Sequence, residues 1–111
     1  MRIITAMIQP FMLSKVTSTL EAIEGFPGMT ITQAHGFGRR RSQQEQRELS
    51  VAEFKEKVRL EIVTPSDKAQ QIVETLARAA HTGNNGDGKV FVWSVEEAVR
   101  IQTGEKDEAA L

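Results

Sequence analysis

The sequence predicts an α+β fold in β-α-β-β-α-β order, an antiparallel sheet carrying both helices on one face, and three observations predict it. Two segments repeat apolar residues at spacings of three and four. Four short runs rich in β-branched residues end at Gly, Pro or polar clusters. The length of 111 residues suits one domain, at roughly 100–150 residues per domain, so residues 1–111 are read as a single unit.

Arg2 to Ile8 is the first strand, an apolar run halted at Gln9-Pro10. Leu13, Val16, Leu20 and Ile23 then mark an amphipathic helix that Gly25 closes. Phe26-Pro27-Gly28 is turn chemistry, and Met29 to His35 alternates as a second strand up to Gly36. Arg39 to Gln46 holds no apolar side chain, so it has nothing to place in a core and reads as a solvated, mobile loop, part of an exposed segment at about 40–53. Lys57 to Thr64 is a third strand, with Val58, Leu60 and Ile62 on one face and Arg59, Glu61 and Val63 on the other. Pro65 stops it. Ser66 is placed to cap a second helix that has Asp67 in its first turn and Ile72, Val73, Leu76 and Ala80 on its apolar stripe. A Gly-rich connection leads to the fourth strand, Lys89 to Ser94, and the acidic EKDEAA closes the chain as a solvated tail. This order is the split βαβ, ferredoxin-like arrangement. It leaves one sheet face without helices, and Ile4, Val63 and Val92 give that face apolar character. Self-association is the economical way to cover it.

Composition narrows the function. Fourteen Lys and Arg against fifteen Asp and Glu give a net charge of −1, which argues against a surface built as a whole to trap nucleic acid. The absence of Cys removes disulfides, thiolate metal sites and thiol nucleophiles. The opening MRIITAMIQP has neither the length of a membrane span nor a signal-peptide cleavage pattern, so a cytoplasmic protein is expected.

Gly83 to Lys89, GNNGDGK, matches the G-x-x-x-x-G-K spacing of a phosphate-binding loop. Val90 stands where Ser or Thr would hold Mg²⁺, and a strand follows where a nucleotide triphosphatase needs a helix. The segment is therefore either a Gly-rich turn or an anion cradle of backbone N–H groups. The density of three glycines, Asp87 and Lys89 favours the cradle. Arg39, Lys57 and Arg100, all near strand ends, are available as further cations.

GFGR (Gly36 to Arg39), KVRLEIV (Lys57 to Val63), TGNNGDGKVFV (Thr82 to Val92) and VRIQTGE (Val99 to Glu105) resemble the PII nitrogen-regulatory signal-transduction family. MIQPF, GMTIT and the tail DEAAL fit as well, so the likeness spans nearly the whole chain. The resemblance implies a homotrimer that binds ATP or ADP in clefts between subunits and regulates a transporter, enzyme or transcriptional regulator through an exposed loop. It places the phosphates on the Gly86-Asp87-Gly88 backbone and Lys89, with Arg39 and Arg100 as charge partners and Lys57 and Gln102 as further contacts. Thr30, Gly36, Phe37, Gly38, Ile62, Val63 and Thr64 would line the adenine and ribose. Arg40, Arg41, Arg47 and Ser50 would belong to the partner loop.

Departures from the family pattern qualify these expectations. Arg40 stands where Gln commonly helps hold the Mg²⁺ that docks 2-oxoglutarate, and a cation there repels a metal. Gln102 replaces a phosphate-binding Arg, which removes on the order of 1–3 kcal/mol of charge-assisted bonding. The loop is about two residues shorter than usual, and the chain has no Tyr, which excludes tyrosyl nucleotidylation.

An RNA-recognition module shares the element order, but it stacks bases on aromatics of its central strands, and Ile3 to Ile8 and Val58 to Val63 contain none. A small-molecule sensor for another effector is a further alternative. Glu61 and Asp87 lack acid/base partners for hydrolysis, and His35 and His81 lack a carboxylate set for a metal, so neither catalysis nor a metal site is expected.

Overall fold

The computed structural model describes residues 1–37 and 54–111. The elements are β1 (Arg2–Ile8), α1 (Leu13–Glu21), β2 (Thr30–Gly36), β3 (Lys55–Thr64), α2 (Ser66–Ala80) and β4 (Gly88–Ser94), with 3-10 turns at Pro10–Met12 and Asp107–Ala110. The four strands form one sheet in the order β2-β3-β1-β4, with every neighbouring pair antiparallel. In each β-α-β unit the two parallel strands are thus separated by a third, as the ferredoxin-like arrangement requires. Among the described residues no helix is long and apolar enough to cross a membrane.

Register explains which side chains share a face. Ile4 pairs with Ile62 and Val92, and Ala6 with Leu60 and Val90. Ile4, Ala6, Ile8, Val58, Leu60 and Ile62 are buried together with Val16 and Leu20 of α1 and Ile72 and Leu76 of α2. The core therefore lies between the sheet and the two helices. On the open face Ile3, Val63 and Trp93 form one row, and Met7, Arg59 and Lys89 another. The expectation that Ile4 and Val92 belong to the open face is corrected: each strand alternates faces residue by residue, and the register puts both with Ile62 on the helix side. Val63 is on the open face, where Phe91 and Trp93 are each 49% exposed.

The strands β2, β3 and β4 begin at Thr30, Lys55 and Gly88 rather than at Met29, Lys57 and Lys89, and both helices also differ from expectation at an end. α1 ends at Glu21, and Ile23 lies in the turns that follow, where its N–H donates to the Leu20 carbonyl at 3.0 Å. Ser66 is not the cap of α2: Pro65 holds that position in an extended conformation, and no side chain caps the helix. The Ser66 hydroxyl instead accepts from the Met1 amino group at 3.1 Å.

Candidate functional site

The Gly-rich turn is built around one carboxylate. α2 ends at Ala80, His81 takes an extended conformation, and the chain reverses before entering β4 at Gly88. Asp87 accepts hydrogen bonds from the backbone N–H of Thr82 (2.7 Å), the Thr82 hydroxyl, the N–H of Gly83 (2.9 Å) and the Gln9 side-chain amide (3.0 Å). The Thr82 hydroxyl first, then the Thr82 N–H, and more weakly Gly83 and Gln9 hold this carboxyl well below the usual carboxylate range. The His81 ring Nδ1 stands 3.7 Å from the same carboxylate.

Lys57 underpins the turn from β3, its ammonium donating to the Gly86 carbonyl at 2.6 Å. Gly36, at the end of β2, lies against the Lys57 stem, where an added Cβ would sit 3.3 Å from Cγ. Gly88 allows the closest approach. Its φ is +105°, and a Cβ there would lie 1.7 Å from the Met7 carbonyl oxygen. No residue but glycine fits that pairing of β4 with β1. Beside this corner the Phe37 and Phe54 rings stand 5.8 Å apart at 48°. The fold thus gathers Gly36, Lys57, Gly86, Asp87, Gly88 and Lys89 at one end of the sheet, with Phe37 adjoining.

The remaining expected residues lie elsewhere. Thr64 pairs with Arg2 at the far end of β3, and seven residues at about 3.3 Å each put it roughly 23 Å from Lys57. Thr30 pairs with Glu61 on the edge strand β2. Ile62 and Thr64 have fully buried side chains, so at these two positions only the backbone can meet a ligand; their place on the helix side of β3 is the reason. Val63 alone of the three presents its side chain to the open face. Arg100 and Gln102 follow β4 from its Ser94 end, in a small hairpin closed by the Val99–Lys106 bridge and by the Arg100 N–H donating to the Glu105 carbonyl at 2.8 Å. The Arg100 guanidinium donates to the carbonyls of Ala110 (3.2 Å) and Leu111 (3.0 Å). Gly38, Arg39, Arg40, Arg41, Arg47 and Ser50 lie outside the described residues.

Gln9 and Thr82 are site residues that sequence patterning passes over. Gln9 reads there only as the end of a strand, and nothing local announces a partner on the far side of the chain.

The chain matches the family model "Nitrogen regulatory protein P-II" over residues 1–105. It is 44% identical over 113 residues to the nitrogen regulatory protein P-II of Haemophilus influenzae, and 42% identical over 113 residues to the nitrogen regulatory protein P-II 1 of Escherichia coli K12. Both alignments cover 100% of this chain and of the relative. Among solved structures it is similar to the PII protein of Arabidopsis thaliana bound to citrate, with a TM-score of 0.82, 34% identity, and coverage of 99% of this chain and 91% of that one.

Proposed function

The chain belongs to the nitrogen regulatory protein P-II family, whose members are regulators rather than enzymes, and on that premise we propose that it is a cytoplasmic signal-transduction protein that binds ATP or ADP between subunits of a homotrimer. Binding then changes how a target protein reads the segment 40–53. Nitrogen status is the signal that the names of its relatives suggest.

The division of the site carries this reading. One end of the sheet holds the Gly-rich turn with Lys57 and Lys89, and the other holds Val63 and leads to the Arg100 hairpin. Within one chain these ends are too far apart to grip one nucleotide. In a closed assembly, one subunit's turn meets its neighbour's far end. The open face favours such packing, because Ile3, Met7, Val63, Phe91 and Trp93 give it apolar area that no helix among the described residues covers. Lys89 and Arg100 suit polyphosphate through charge-assisted hydrogen bonds, and Arg39 is proposed as a third cation. The Arabidopsis relative carries citrate, a small polyanion, which agrees with anion recognition in this family. Arg40 argues against Mg²⁺ with 2-oxoglutarate as the second signal.

The strand order also weighs against RNA. β1 and β3 are the central strands, and neither contains an aromatic residue on which a base would stack.

Calorimetric titration with ATP, ADP and AMP, with and without Mg²⁺ and 2-oxoglutarate, tests the reading, with light scattering for assembly state. A stable monomer, or a folded protein with no affinity for ATP and ADP, would sink it.

A further inference from the structure

The turn that would receive phosphate already contains an anion of its own. Four donors converge on the Asp87 carboxylate, and two of them are the amides of Thr82 and Gly83. Those amides are therefore taken before any ligand arrives. The fourth donor comes from outside the turn: Gln9 directly follows β1, whose last residue, Ile8, pairs with Gly88. Asp87 thus ties the turn to the strand against which β4 is laid. The side chain is 20% exposed, and its oxygens face the turn's own N–H groups.

We propose that Asp87 and Gln9 are positioning residues for the anion site: the Asp87 carboxylate acts as a resident anion that closes the turn from Thr82 to Gly88, Gln9 orients it, and neither side chain touches the phosphates. The inference deepens the nucleotide reading above and rests on it. A turn with glycines at 83, 86 and 88 has more backbone freedom to lose on ordering than one with other residues at those positions. Anchoring it beforehand removes that cost from the binding step.

The charge of Asp87 makes its orientation matter. A carboxylate turned toward a polyphosphate repels it, whereas one turned inward, satisfied by four donors, leaves the outer side of the turn to Lys89. The charged and titratable groups around it are Lys57 on the Gly86 carbonyl, Lys89 at the start of β4 and His81 at 3.7 Å. Gln9 is the neutral member of the arrangement. A carboxylate of similar shape at position 9 would face Asp87 as a like charge and force the turn open.

The experiment compares Gln9→Glu, Asp87→Asn and the double variant in the full chain. ATP and tripolyphosphate are the calorimetric probes, and amide hydrogen exchange at Thr82 and Gly83 is followed without ligand. Gln9→Glu is expected to weaken both probes by about tenfold or more through like-charge repulsion and to accelerate exchange at the two amides. Adding Asp87→Asn should restore most of the affinity, because an amide donates to the new carboxylate while its oxygen still accepts from the turn. Asp87→Asn alone should weaken ATP. Tighter ATP binding by that variant would mean that the carboxylate faces the phosphates, and would overturn the inference. So would equal affinity, or equal exchange at Thr82 and Gly83, in wild type and Gln9→Glu. If Gln9→Glu does not fold, Gln9→Ala replaces it, with an expected loss of about threefold for one missing donor, and unchanged affinity counts against the proposal. Wild-type protein that binds neither probe overturns the nucleotide reading itself, and this inference with it.

Discussion

The two faces of the sheet are built from the same strands with opposite chemistry. Under the helices stand Ile4, Ala6, Ile8, Leu60 and Ile62, all aliphatic and essentially inaccessible. On the other face, Ile3, Met7, Val63, Phe91 and Trp93 are interleaved with Lys57, Arg59, Glu61 and Lys89, and Arg59 and Glu61 pair at 3.3 Å. Dispersion and burial alone decide the first face, which is what a folding core requires. The second mixes exposed aromatic area with charges, so burial does not decide it in the same way. One alternating strand therefore specifies a core with its even positions and an open, mixed face with its odd ones.

The largest expected effect lies on the covered face. Leu60→Ala should cost about 2–5 kcal/mol of unfolding free energy by denaturant titration, since Leu60 is fully buried between β1, β2 and the helices. Next is the open face: Trp93→Glu should leave far-UV circular dichroism unchanged yet yield a smaller particle in light scattering. An intact assembly would show that this face is not the interface, and a loss of secondary structure would show that the two faces are not independent. Lys89→Ala probes the corner of the open face nearest the turn. It should weaken ATP or ADP by about tenfold or more, or roughly 1.4–3 kcal/mol, with little change in melting temperature.

The smallest effect concerns acid. The Asp87 carboxyl is depressed in the folded chain, so its stabilisation is complete above the unfolded value of about 3.9 and is lost as pH falls through the lower folded value. The melting-temperature gap between wild type and Asp87→Asn should thus hold from neutral pH to about 5 and shrink below about 4. Both proteins are compared in a His81→Ala background, which removes the neighbouring titratable ring. A constant gap down to pH 2 would exclude the depressed carboxyl.

What the sequence revealed follows the range of the interactions. Strand positions were legible because period-two patterning is local: Val58, Leu60 and Ile62 against Arg59, Glu61 and Val63 divide as the alternation says. Ile4 was misplaced because β1 is apolar on both faces, so only the register with Ile62 settles its side. Ser66 looked like a cap by residue type, but Pro65 precedes it and the amino terminus takes its hydroxyl, a contact spanning 65 positions. Of the site, the Gly-rich turn and its lysine were visible as a motif. The Gln9–Asp87 bond, across 78 positions, has no local signature at all.

Gly36 pairs with Lys55 in the ladder, and just beyond it the Phe37 and Phe54 rings face each other, so the chain is fixed on both sides of residues 38–53. For a connection whose ends are held, doubling its length costs only about 0.6 kcal/mol of closure entropy. A change of length between the two phenylalanines is therefore expected to cost the sheet far less than the truncation of one core side chain.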